Sequence, residues 1–108
     1  MPRIQCHGIA DDVIRTVSTH LVDELENLLN VPREYFQLST VQERYFADGK
    51  AVGGHPFVEV SLFDRGAEQE MRVAAIITRY LQEAGIPHVD LVIHHLERKR
   101  YFEDGKPF

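Results

Sequence analysis

Most of the side chains in this sequence that could do chemistry are spaced against it. There are six histidines. His94 and His95 are neighbours in an apolar run that reads as a strand, so their rings point to opposite faces and cannot hold one metal ion together. His7, His20, His55 and His88 show no ligand spacing. The one cysteine, Cys6, alternates with polar residues in a short apolar segment and reads as a small core residue rather than a nucleophile. Gly53-Gly54 precedes a strand and opens no helix, so it is not a phosphate loop. Arg98-Lys99-Arg100 is short and flanked by Glu97 and Glu103, as in a solvated turn. No metal and no cofactor are expected.

Three polar residues keep two readings each. Arg65 follows a strand and precedes a helix whose first turn holds Glu68 and Glu70. There its guanidinium fork and the helix dipole would together suit a carboxylate. The alternative is a solvated loop arginine paired with Asp64. Tyr45 and Tyr101 close the repeated strands and stand at the same place in two equivalent segments, RYFADGK (Arg44 to Lys50) and RYFEDGK (Arg100 to Lys106). Packing at a subunit edge is the first use for each ring. Lending an O–H to a substrate oxygen is the second.

That echo is the key to the elements. The two segments are 56 positions apart, Val31-Pro32 and Ile86-Pro87 are 55 apart, and Pro2 and Pro56 are 54 apart. A slowly drifting offset is what two copies of one unit give after small insertions. The unit reads as strand, helix, strand, hairpin, with copies at about 2–52 and 56–108 of a single domain spanning 1–108.

Arg3 to Ile9 reads as the first strand. Asp11 or Asp12 is expected to cap the helix that follows. Ile14, Val17, Leu21, Leu25 and Leu28 make one apolar stripe along that helix, which Asn30 and Pro32 stop. Phe36 to Tyr45 reads as the second strand, with Phe36, Leu38 and Thr40 on one face and Gln37 and Ser39 on the other. Asp48-Gly49 and Asp104-Gly105 are hairpin turns. Phe57 to Phe63 is the third strand and Val89 to Leu96 the fourth. Met71, Ala74, Ile77 or Thr78, and Leu81 mark the buried side of the second helix, which Gly85 and Pro87 end.

Right-handed crossovers in both units place both helices on the same face. The expected class is therefore α+β, with two layers: duplicated β-α-β units forming one four-stranded mixed sheet with two helices on one face. The other face carries Gln5, His7, Glu59, Asp90 and His94 beside Val41, Phe57, Val92 and Leu96. That mixture suits an oligomer interface better than a solvent surface.

A net charge of −5 argues against a nucleic-acid partner. No apolar run approaches the ~20 residues of a membrane span. The N-terminal segment has no basic region followed by a long apolar stretch, and with a single cysteine no intrachain disulfide can form. The expected location is cytoplasmic.

Met1-Pro2 opening a strand, the doubled βαβ pattern, the chain length and the strand-end hairpins together resemble the tautomerase superfamily, which includes macrophage migration inhibitory factor and oxalocrotonate tautomerase. The segment Pro56 to Gly66 resembles an uncharacterised bacterial family within it. The resemblance implies a homotrimer of βαβ–βαβ sheets. It also implies a tautomerase in which the free amine of Pro2, after loss of Met1, moves a proton between carbon and oxygen of a small enolisable keto acid. Pro56 is internal, and its amide nitrogen has no basicity. The resemblance puts substrate contacts on Arg65, on Tyr101 near the C-terminal end, and on Gln37, which stands where the superfamily often has an arginine. Asp12 stands where a second arginine is common, so the known substrates do not carry over. With Met1 in place, Pro2 reads instead as a residue that starts a strand because its missing N–H costs nothing there, and the protein as a non-catalytic oligomeric binding protein.

Overall fold

The computed structural model describes residues 1–108. Its centre is a four-stranded sheet. In chain order the elements are β1 (Arg3–His7), α1 (Asp11–Leu29), β2 (Gln37–Val41), β3 (Tyr45–Ala47), β4 (Lys50–Val52), β5 (Phe57–Phe63), α2 (Ala67–Glu83), β6 (Asp90–Leu96), β7 (Phe102–Glu103) and β8 (Lys106–Pro107). The sheet order is β2-β1-β5-β6. β1 runs parallel to β2, and β5 parallel to β6, while β1 and β5 are antiparallel. The duplication is visible in single bonds. Gln37 N donates to Pro2 O at 3.0 Å, and Asp90 N donates to Pro56 O at 3.2 Å, so each proline carbonyl starts the same parallel ladder in its own half.

Alternation along the strands sorts the residues. Ile4, Cys6, Val58, Val60 and Leu62 face the helices and are buried. From α1 come Ile14, Val17, Leu21, Leu25 and Leu29, and from α2 come Val73, Ile77 and Leu81. Across the helix pair, Glu24 accepts hydrogen bonds from the Tyr80 hydroxyl, at 2.8 Å, and from Arg79.

Three local expectations are corrected. Ala10 is the N-cap of α1, and no side chain caps it. Asp11 instead accepts the Thr40 hydroxyl at 2.6 Å, so a tertiary partner takes the carboxylate from the helix end. Met71 is 73% exposed, because the sheet selects Val73, Ile77 and Leu81 as the buried stripe, a set equally consistent with helical spacing. Phe36–Tyr45 is not one strand. Its register with β1 ends at His7↔Val41. Gly8 then turns away with φ +67, and a Cβ there would lie 2.5 Å from His55 O. β2 is an edge strand, so it ends where β1 leaves it, and Tyr45–Ala47 joins a separate hairpin. Both Asp-Gly turns take positive φ at both residues, as two-residue hairpins require.

Leu25 is fully buried, so Leu25→Ala should cost about 2–5 kcal/mol, read as a lower urea midpoint at unchanged slope. The Tyr80 hydrogen bond, then that from Arg79, holds the Glu24 carboxyl below its ordinary value of 4.5. Its contribution is complete above the ordinary value and disappears as pH falls through the depressed one. Below pH 4.5 the native protein should therefore lose thermal stability more steeply than Glu24→Gln.

Candidate functional site

Pro2 heads β1, an inner strand, and is fully buried. Met1 is fixed at two points beside it. Its ammonium donates to Tyr35 O at 2.8 Å, and its Sδ accepts the Tyr101 hydroxyl. Burial lowers the ammonium pKa from its ordinary 8.0, as desolvation disfavours the charged form of an amine. A cavity of about 310 Å³ opens here, lined by Met1, Arg3, Gln37, Ser61, Leu96 and Tyr101. Tyr101 is positioned by aromatic packing, edge-on to Phe63 at 5.6 Å and to Phe108 at 5.3 Å. The Arg98 guanidinium sits 4.5 Å over the Phe63 ring, so one member of the basic run serves packing.

Gln37 and Tyr101 thus line one cavity with Met1, next to the buried Pro2 ring. Arg65 does not line it. Its Nη1 donates to Leu29 O at 2.8 Å, satisfying one of the free carbonyls at the end of α1. The cation in the cavity is Arg3, which the sequence did not single out beyond its place at the start of the first strand. The available signal was its register: Arg3 is opposite Gln37 on β2 and Ser61 on β5, two polar residues that share its sheet face.

A second cavity, of about 490 Å³, is lined in part by Gly8, Ile9, Val41, Glu43 and Tyr45. Tyr45 is the repeat mate of Tyr101, so each half of the duplication sets a tyrosine in a cavity wall. This one leads into a polar chain on the open sheet face. The Tyr45 hydroxyl donates to Glu43 Oε1 at 3.1 Å. Glu43 Oε1 lies 2.5 Å from His7 Nδ1, and His7 Nε2 lies 2.6 Å from Glu59 Oε2. Glu59 Oε1 lies 2.9 Å from His94 Nε2. The hydrogen bond to Glu43 is the main cause raising the His7 pKa, and hydrogen bonds from His94 and then His7 hold the Glu59 carboxyl low. Sequence reading placed His7, Glu59 and His94 on this face but did not connect them. His95, on the helix side, bonds to Glu70, so the two neighbouring rings do face opposite ways.

The sequence matches the model of a domain of unknown function, DUF1904, over residues 1–107. The chain belongs to the DUF1904 family. It is similar to a crystal structure of a DUF1904 domain from Sebaldella termitidis, with 32% identity over 100% of both chains and a TM-score of 0.90. The fold also matches a macrophage migration inhibitory factor-like protein from Entamoeba histolytica, at 16% identity over 99% of this chain and 98% of that one, with a TM-score of 0.71. A native fused 4-OT matches at 13% identity over 98% and 95%, with a TM-score of 0.75. The expected tautomerase-superfamily fold is therefore borne out, as is the placement in an uncharacterised family with that fold. No protein of curated function shows significant sequence similarity. No helix is long and apolar enough to cross a membrane.

Cys6 lies under the helices, 1% exposed, and burial pushes its thiol up to about 11. A disulfide reagent at pH 8 should leave the native thiol unmodified and react with one thiol per chain in guanidinium, read by absorbance of the released chromophore.

Proposed function

We propose that this chain is a tautomerase-like enzyme in which Pro2, freed by removal of Met1, is the general base toward a small enolisable keto acid. The observation that carries the reading is the buried Pro2 at the head of an inner strand, beside a cavity lined by Arg3, Gln37 and Tyr101, in a fold shared with a macrophage migration inhibitory factor-like protein. Burial already lowers the pKa of the amine one residue earlier. The same desolvation acting on the prolyl amine would lower its pKa, the direction a general base requires.

In this reading the substrate takes the space of Met1. Its carboxylate meets Arg3 and Gln37, and its enolising oxygen takes the Tyr101 hydroxyl that Met1 Sδ otherwise accepts. The Pro2 amine removes the acidic C–H proton, the C–H electron pair moves into the enolate, and prolinium returns the proton to the other atom of the tautomeric pair. Arg65, the cation the sequence suggests for the carboxylate, is engaged by Leu29, and Arg3 takes that role.

The reading includes a homotrimer covering the open sheet face. Supporting it are Phe57, Val92 and Leu96, half-buried on a face no helix covers, and Phe46 and Phe102, 68% and 58% exposed at equivalent positions of the two hairpins. The contacts of Met1 favour a second reading. If Met1 is retained, the Pro2 nitrogen is an amide, and the protein is a non-catalytic homo-oligomeric binding protein with the same cavity.

The test is ketonisation of phenylenolpyruvate by untagged protein whose proline N-terminus is confirmed by intact mass. Pro2→Ala should lower kcat about 10²-fold or more, the low end of what a positioned base contributes. Arg3→Ala should raise KM, by about 1.5–3 kcal/mol of lost charge-assisted binding. A rate equal to the buffer blank, or one unchanged by Pro2→Ala, favours the binding protein. Sedimentation at micromolar concentration should show three chains per particle, and a stable monomer would rule out the covered face.

A further inference from the structure

We propose that His7 is a pH-operated latch: its doubly protonated ring ties the β3–β4 hairpin to the open face of the sheet, and loss of one proton frees the hairpin. The latch needs neither a free Pro2 nor the proposed reaction.

Both nitrogens of the ring are committed. Nδ1 lies 2.5 Å from Glu43 Oε1, and Nε2 lies 2.6 Å from Glu59 Oε2. An ionised carboxylate can only accept, so each ring nitrogen must donate, and only imidazolium carries two N–H groups. A neutral ring would set a lone pair against one of the two carboxylates. The hydrogen bond to Glu43 is the main cause raising the His7 pKa above its ordinary 6.5, with desolvation opposing it.

The surroundings hold no other donor for Glu43 from the sheet. Val41 on β2 and Phe57 on β5, opposite His7 on its two sides, are uncharged. The other oxygen of Glu59 takes the His94 ring at 2.9 Å. Glu43 also accepts the Tyr45 hydroxyl at 3.1 Å, a bond internal to its own segment. Arg44 stands beside Glu43 in the cavity wall. His55 and Asp90, 2.8 Å apart, make a separate pair at the same end of the sheet.

The two carboxylates therefore differ in what they lose with the proton. Glu59 is fixed on an inner strand and keeps His94. Glu43 belongs to the segment Gln42 to Arg44, which makes no backbone hydrogen bond. The bond from His7 is thus the hydrogen bond that joins the hairpin to the sheet. Tyr45, Phe46, Ala51 and Val52 of that hairpin form one wall of the 490 Å³ cavity, and Gly8 and Ile9 form another. Releasing Glu43 lets the walls part. The direction follows from the raised pKa. The latch is complete below 6.5 and is lost as pH rises through the higher native value.

The test is NMR of the full-length chain, labelled with ¹⁵N and with ¹³C in its histidines, through a pH series starting below 6.5. The His7 ring should titrate above 6.5. The ¹⁵N–¹H NOE of Tyr45 to Val52, which reports fast backbone motion, should fall with the same midpoint. Glu43→Gln decides, since this half-exposed residue is dispensable for the core. A glutamine amide can donate to the neutral ring as well as accept from the charged one. The pH step in the hairpin should therefore vanish, and His7 should titrate lower. His55→Gln should keep the step. A step that persists in Glu43→Gln overturns the proposal. So does a step lost in His55→Gln, which assigns it to the His55–Asp90 pair. A hairpin NOE that stays level while His7 titrates, or a His7 midpoint at or below 6.5, overturns it equally.

Discussion

The antiparallel pairing of β1 with β5 is the constraint on which the rest depends. Each βαβ half satisfies its own parallel ladder and covers one face of two strands with one helix. Two strands and a helix are too little to bury Ile4, Val58 and Val60 completely. Joining the halves edge to edge makes those side chains the floor of one core beneath both helices, where they are 0% exposed. It also sets β1 and β5 as inner strands, each headed by a proline that has no N–H to leave unpaired.

The same pairing leaves the second sheet face without a cover. Both helices pack on the one face that carries Ile4, Cys6, Val58, Val60 and Leu62. Apolar and ionisable residues then alternate across the open side with no element of the chain to shield them. Glu59 is withdrawn from water without a helix above it because His7 and His94 flank it and Phe57 packs against His7 at 5.8 Å. A carboxylate held this way is satisfied by the two rings, one on each oxygen.

Duplication supplies matching parts, and divergence has given them different uses. Tyr45 and Tyr101 each enter a cavity wall, but Tyr101 meets Met1 while Tyr45 meets Glu43. Pro2 and Pro56 accept the same backbone bond, yet only Pro2 can acquire a basic nitrogen. Arg65, at the start of α2, holds the last turn of α1. The latter half of the chain thus stabilises a helix end in the first half, while the cationic lining of the Pro2 cavity falls to Arg3.

What the sequence determined by itself is whatever depends on local repetition. The duplicated segments gave the two units, the apolar stripe of α1 gave its buried face, and the Asp-Gly pairs gave the hairpins, since each signal is fixed by neighbours a few residues away. Tertiary structure decided what depends on competition between partners distant in the chain. Asp11 caps no helix because Thr40 reaches it first. Met71 is exposed because the sheet could accept only one of two stripes of equal period. β2 stops at Val41 because β1 turns away at Gly8. His7 and His94 meet at Glu59 because β5 separates their strands by one position on each side, and no spacing along the chain encodes a cross-strand diagonal.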